Sequence, residues 1–178
     1  MVSIQDDSAP PGPQTVEEIN WKEWQPSERA VIVYIVDRPG NKVLLILKKQ
    51  GLGAGKINAP GGRLEPGETS LQAAVRECQE EVGLTPLNGE KRMELHFQFT
   101  SGYALYGEAF VAEAWEGELK ETDEAAPFWC DLDDLPWDKM WEDDRHWLPG
   151  ALGGDKQRGY YIFDDDRMLS MKQEKIKP

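Results

Sequence analysis

The chain has 178 residues, with 39% apolar residues, seven Trp, and 20 Lys+Arg against 33 Asp+Glu, a net charge of −13. That is one domain's worth of chain with one real core. Basic residues come in pairs such as Lys48-Lys49 and Lys91-Arg92 rather than patches, so an anionic polymer or membrane surface is excluded as a partner.

A small anionic substrate stays open, because bound cations can invert a local field. No apolar run approaches the ~18 residues of a spanning helix. Residues 1–18 have no basic region followed by an apolar one, so no secretory signal is expected. Two cysteines, Cys78 and Cys130, are too few for a disulfide framework and point to a reduced, cytoplasmic protein.

Pro10, Pro11 and Pro13 lie among Ser, Asp and Gln, and residues 1–22 are expected to be a mobile tail. Packed structure should begin near Trp21 and Trp24. The β-branched apolar run between Arg29 and Asp37 predicts a buried strand, and Val43–Lys48 a second one after the Arg38-Pro-Gly-Asn41 turn. Gly51, Gly53 and Gly55 mark a loop. Thr69–Val82 reads as a helix capped by Thr69 or Ser70 and ended by Gly83.

Arg92–Thr100 and Ala104–Trp115 predict an antiparallel pair joined at Ser101-Gly102. Phe128–Leu132 reads as a short or edge strand, Asp143 onward as a helix, and Gly159–Phe163 as a last strand. The polar end, 171–178, is expected to fray. Strands on both sides of one strong helix argue for a mixed α/β (α+β) layer fold spanning 23–170.

The helix carries the chemistry. At about 100° per residue, with Glu77 at zero, Glu80 falls near −60° and Glu81 near +40°. Leu71, Ala74, Val75, Cys78 and Val82 fall beside them as an apolar stripe. Like charges at this spacing destabilise a helix by a few tenths of a kcal/mol each. Converging carboxylate oxygens are what a hard divalent cation requires, and Mg²⁺ commonly bridges carboxylates to substrate phosphates. Gly61 and Gly62, just upstream, permit close backbone approach. A solvated acidic helix face is the alternative reading of three acids alone.

The full string settles between them. Gly62, Glu68, Arg76, Glu77, Glu80, Glu81 and Gly83 stand in the register G-x5-E-x7-R-E-U-x-E-E-x-G-U. Seven fixed residues at roughly 7% each give a chance match of about 10⁻⁸ per start. The chain therefore resembles the Nudix hydrolases, whose box this is. Cys78 departs from the usual aliphatic residue, at little cost, since Cys packs as a small hydrophobe.

The resemblance implies a Nudix αβα sandwich with a mixed sheet. It also implies hydrolysis of a nucleoside diphosphate linked to another group by an activated water. It makes Glu77, Glu80 and Glu81 ligands of Mg²⁺, with Mn²⁺ able to substitute, and adds the Gly61 carbonyl and Glu124. Glu77, Glu81 and Glu124 are the catalytic candidates, with Glu77 and Glu124 both open as general base. Glu68 and Arg76 are implied to form a structural ion pair.

The segments Lys48–Asn58, Met140–Trp147 and Arg158–Phe163 resemble the group of that family acting on oxidised purine nucleoside triphosphates. By that resemblance Asn58 hydrogen-bonds the base, Asp143 and Asp144 read its edge, Trp141 stacks on it, Phe97 lines the opposite side and Lys48 lies near the nucleotide. Two adjacent carboxyls repel, so one should keep its proton and donate to a base carbonyl while its neighbour accepts. Ile57 and Pro60 stand where that group has aromatic residues.

The activity implied is Mg²⁺-dependent conversion of 8-oxo-dGTP or 2-hydroxy-dATP to monophosphate and pyrophosphate, a nucleotide-pool sanitation role. The chain would act on a small-molecule nucleotide as a monomer or homodimer, without nucleic-acid polymer or membrane. Hydrolysis of undamaged (d)NTPs or of a nucleotide sugar is the alternative.

Overall fold

A computed structural model of the chain describes residues 12–177. Strand β1 (Glu28–Asp37) runs through the centre, its side chains buried on both faces. β2 (Lys42–Lys48) returns antiparallel through a turn in which Asn41 takes a left-handed φ of 55°. Two short strands follow the glycine loop: β3 (Ile57–Asn58) pairs with β2, and β4 (Gly61–Arg63) pairs with the start of β1.

Helix α1 (Ser70–Val82) is defined at both ends by its own side chains. The Thr69 hydroxyl accepts the Gln72 N–H at 3.1 Å while Gln72 Oε1 accepts the Thr69 N–H at 2.9 Å, a capping box. Gly83 ends the helix with φ 79°, a conformation that favours glycine.

After α1 come β5 (Leu84–Leu87), β6 (Glu90–Phe99), β7 (Ala104–Ala112), β8 (Ala114–Gly117) and β9 (Ala125–Asp131). Helix α2 (Asp144–Leu152), β10 (Gln157–Asp164) and β11 (Arg167–Lys175) complete the described chain. The main sheet is ordered β11-β10-β6-β7-β1-β2-β3, with β4 on β1 and β9 on β2. The β1–β7 and β6–β10 pairs are parallel and the other pairs antiparallel, so the sheet is mixed.

One core lies under α1, among Val31, Val33, Ile35, Leu44 and Ile46. The other lies under α2, among Tyr34, Val36, Leu45, Met93, Trp147 and Tyr161. Helices on opposite faces of one sheet make the layered sandwich expected from the sequence.

Four expectations are revised. The Ala104–Trp115 strand breaks at Glu113, and β8 leaves the main sheet to pair with β5. On α1, Leu71 is 43% exposed while Ala73 is buried. The buried arc is thus turned toward the acids and includes Glu81, at 7% exposure.

The polar C-terminus is a strand rather than a frayed tail: β11 pairs with the whole of β10, and Met171–Lys175 belong to it. Of the expected 1–22 tail, residues 1–11 lie outside the described residues. Val16, in a 3₁₀ turn at Val16–Glu18, is 2% exposed, and its N–H donates to Ser170 Oγ at 3.0 Å. Trp21 and Trp24 continue this covering over His96 of β6, and Trp21 also packs on Tyr160 of β10.

Candidate active site

The acids are assembled by α1 and by the loop before β9. Arg76 holds Glu68 with two hydrogen bonds, 2.7 and 2.8 Å, and also donates to Glu77 (2.7 Å) and to the Arg63 carbonyl (3.1 Å). This guanidinium draws the Glu68 carboxyl down to about 2 and ties the 63–68 loop to the helix. A Cβ on Gly62 would overlap the Glu77 carboxylate, so the glycine is required for the strand and this acid to lie together. The close approach expected of the glycine pair is thus made by Gly62 to Glu77 and by Gly61 to the Val31 and Ile32 backbone.

Thr122 places the other wall. Its hydroxyl donates to the Glu81 carbonyl at 2.8 Å and accepts the Glu124 N–H at 3.3 Å, clamping the loop to the helix.

As a result, carboxylate oxygens of Glu77, Glu81 and Glu124 lie within 4.8 Å of one another. Glu80 is not part of that trio; its carboxylate is mostly exposed and accepts from Arg76 at 3.3 Å. Burial, and then the neighbouring Glu77 charge, push Glu81 up to about 8, and burial likewise raises Glu77. Glu81 Oε2 accepts the Gly61 N–H at 3.4 Å. Three mutually repelling carboxyls, two of them held back from ionisation, fit a divalent cation: it would supply the missing charge, and the donors are the hard oxygens such ions select. Lys48, half-buried beside Glu81, Glu124 and Glu77, is lowered by burial, and these carboxylates partly offset that effect.

Every residue singled out from the sequence lines one cavity of about 590 Å³: Lys48, Asn58, Gly61, Glu77, Glu80, Glu81, Phe97, Glu124, Trp141, Asp143 and Asp144. Asn58 Oδ1 accepts the Ala59 N–H at 3.0 Å. Phe97 stacks on Tyr161 with centroids 5.3 Å apart. Trp141 stands edge-on to Phe163 at 5.5 Å and to Phe99 at 6.3 Å, with Lys56 Nζ 5.2 Å from its ring centre.

Asp143 and Asp144 precede and open α2, where acids could serve only the helix dipole. Asp143 makes no side-chain cap among the described residues. Its Oδ2 instead accepts the Trp147 indole N–H at 2.8 Å, and both acids are almost wholly buried. Burial raises both carboxyls, and the Asp143 charge raises Asp144 further. The indole hydrogen bond favours the charged form of Asp143, so Asp144 is the member that keeps its proton. Asp143 Oδ1 and Asp144 Oδ2 have no hydrogen-bond partner among the described residues.

Sequence reasoning missed Thr122, which gave no signal beyond its place beside Glu124. It also missed Leu52 and Tyr103 on the cavity wall. Trp147 is buried in the core and is also the donor that orients Asp143.

The chain has relatives among known proteins and solved structures. The NUDIX domain matches residues 26–151, 126 of the 178 positions. A zebrafish (Danio rerio) protein named oxidized purine nucleoside triphosphate hydrolase is 41% identical over 138 residues, 77% of this chain and 88% of that protein. Its mouse (Mus musculus) namesake is 34% identical over 152 residues, 84% of this chain and 97% of its own. The crystal structure of a MutT protein from Bacillus halodurans superposes with a TM-score of 0.74 at 28% identity, covering 83% of this chain and 97% of that one. With the acidic helix, the layered sheet and the domain match in agreement, the chain belongs to the Nudix family and is a Nudix hydrolase.

Proposed function

We propose that this Nudix hydrolase converts oxidised purine nucleoside triphosphates, 8-oxo-dGTP and 2-hydroxy-dATP, to the monophosphate and pyrophosphate with Mg²⁺. The observation that carries the reading is a single cavity lined both by the Glu77–Glu81–Glu124 cluster and by the buried Asp143–Asp144 pair. Its size lies within the ~300–1,000 Å³ usual for small-ligand sites. The zebrafish and mouse relatives support the substrate class by their names.

Glu77, Glu81, Glu124 and the Gly61 carbonyl would hold the divalent ion, with Glu80 able to swing in from Arg76. When bound, the ion neutralises phosphate oxygens and lowers the pKa of a water. Mn²⁺ would serve in its place. Glu124, the exposed member of the cluster, and Glu77, fixed by Arg76, are the two groups that would take the water's proton. Lys48 would pair with phosphate charge.

At the base, protonated Asp144 donates to a purine carbonyl while ionised Asp143 accepts from an amine or ring N–H. Moving the proton between them lets one pair read two damaged bases. Asn58 adds its amide, and Trp141 and Phe97 supply apolar faces; stacking contributes about 1–3 kcal/mol per base. The free thiols Cys78 and Cys130 suit a cytoplasmic setting, and among the described residues no helix is long and apolar enough to cross a membrane. We place the chain as a monomer or homodimer.

The test is product analysis with 8-oxo-dGTP and Mg²⁺, assaying pyrophosphate and phosphate separately. Pyrophosphate release that stops with chelator and returns with Mg²⁺ is the expected result. Phosphate release, or turnover unaffected by chelator, overturns the reading.

A further inference from the structure

Behind the cavity wall lies a buried polar group that the reaction scheme leaves unused. Ile32 of β1 lines the cavity, and Tyr34 is the next residue on the same face of that strand. Tyr34 is fully buried, and its hydroxyl has no hydrogen-bond partner among the described residues. Its ring packs edge-on against Trp147 at 6.0 Å, the same indole that donates to Asp143 Oδ2.

The unpartnered buried side-chain atoms also include Asp143 Oδ1 and Asp144 Oδ2. Trp147 links the phenol to Asp143, and the charges of both acids reach Tyr34, so the three belong to one buried polar neighbourhood. Buried hydroxyls are ordinarily hydrogen-bonded, and each exception calls for a cause. Phenylalanine would fill the same space without the unpaired oxygen, so the hydroxyl is retained at a cost to the empty protein.

We propose that Tyr34 is a positioning residue for base recognition: its hydroxyl donates to the ionised member of the Asp143–Asp144 pair when a base occupies the cavity. The inference rests on the pair's reading of the base. Hydrogen bonds of this kind are often long in an empty site and tighten in the complex. The acids' charges act on Tyr34, burial having the larger effect in raising its hydroxyl.

The titratable groups facing the pair are Tyr34 from β1, Tyr161 from β10 and Glu142 from the pair's own loop. Tyr161 is already engaged, donating to Gln173 Oε1 at 2.7 Å. It is the control, since its removal takes no free donor from the pair.

The experiment compares wild type, Tyr34→Phe and Tyr161→Phe. The first readout is ¹³C-carboxyl NMR titration of the two aspartates in the full chain saturated with a purine nucleoside monophosphate. The second is the kcat/KM ratio of 8-oxo-dGTP to dGTP across pH. Tyr34→Phe should move the pair's titration to higher pH, because a donor to the ionised form is gone. It should also cut the selectivity ratio severalfold, leave the thermal midpoint unchanged or raised, and differ from Tyr161→Phe in both readouts.

An unmoved titration, an equal shift in Tyr161→Phe, or a lowered midpoint with unchanged selectivity overturns the inference. Wild-type selectivity for the oxidised base, measured in the same series, separates failure of this inference from failure of the substrate assignment. The titration reports on Tyr34 whichever nucleotide is preferred.

Discussion

Glu77 and Glu81 are buried deeply enough to resist ionisation, yet their oxygens stand within 4.8 Å of those of Glu124. On the proposed assignment, such a cluster is held for a ligand rather than for the fold. Glu81→Gln or Glu77→Gln should therefore lower turnover by orders of magnitude while leaving the metal-free thermal midpoint intact or raised. Retained Mg²⁺-dependent activity in either variant contradicts the ligand assignment.

The base residues should fail differently. Asn58→Ala or Asp143→Ala should reduce preference for the oxidised base about tenfold or more, since a site built on hydrogen bonds discriminates through them. Turnover of undamaged nucleotide should change less. Wild-type selectivity in both variants would refute the pocket assignment.

Protonation has a sign here as well. Asp144 carries its proton to unusually high pH because it is buried beside Asp143. KM for the oxidised nucleotide should then rise as pH climbs through the pair's titration, where the donor is lost and two carboxylates face the base. A KM that is flat across that range would show that the proton plays no part.

At the scale of elements, α1 and its preceding loop were almost fully legible. The N-terminal cap, the terminal glycine, the acid spacing and the Glu68–Arg76 pair all act within residues 68–83, and local chemistry leaves local signatures. The deep burial of Glu81 was not legible, because it depends on how far α1 rotates on β1 and β2. Glu80 turns away for a similar reason: Arg76 competes for it.

Arg76→Ala should release the loop and lower kcat/KM roughly 10–100-fold, as loss of a ligand's supporting partner does. Equal activity would make Arg76 a surface residue only. His96 on β6 tests the aromatic cover. It stacks on Tyr160 at 4.6 Å, has Trp21, Trp24 and Tyr106 edge-on or tilted around it, and lies within 2.9 Å of the Gly159 carbonyl through Nδ1.

Burial lowers its pKa from 6.5, so the unfolded chain takes up the proton first. Stability is present above about 6.5 and lost as pH falls below it. Thermal midpoints from pH 7.5 to 5.5 should fall more steeply in wild type than in His96→Phe. Parallel slopes would contradict this.

At the scale of the molecule, the sheet extends beyond the area that α1 covers. The segment around Val16, Trp21 and Trp24 covers the exposed part over β6 and β10. Trp24 donates to Gln98 Oε1 at 2.8 Å and Trp21 to the Val16 carbonyl at 2.9 Å. The packing of Trp21 and Trp24 was expected, but the share of Val16 in this cover and β11 were hidden in the sequence. Prolines and polar residues dominate locally there, and only non-local pairing, Val16 to Ser170 or Tyr161 to Gln173, makes them structure. Trp21→Ala should lower stability by about 2 kcal/mol, roughly 5 °C in Tm, without altering base selectivity.

The central claim joins the acidic cluster and the buried aspartate pair into one site for damaged purine nucleotides. The most direct test is the kcat/KM ratio of 8-oxo-dGTP to dGTP with Mg²⁺, with 2-hydroxy-dATP, dATP and a nucleotide sugar measured alongside. A ratio well above one, with 2-hydroxy-dATP likewise preferred to dATP, is the predicted result. Equal or better use of the undamaged nucleotides or the sugar would contradict the claim, leaving a Nudix hydrolase whose Asn58, Trp141, Asp143 and Asp144 serve another substrate.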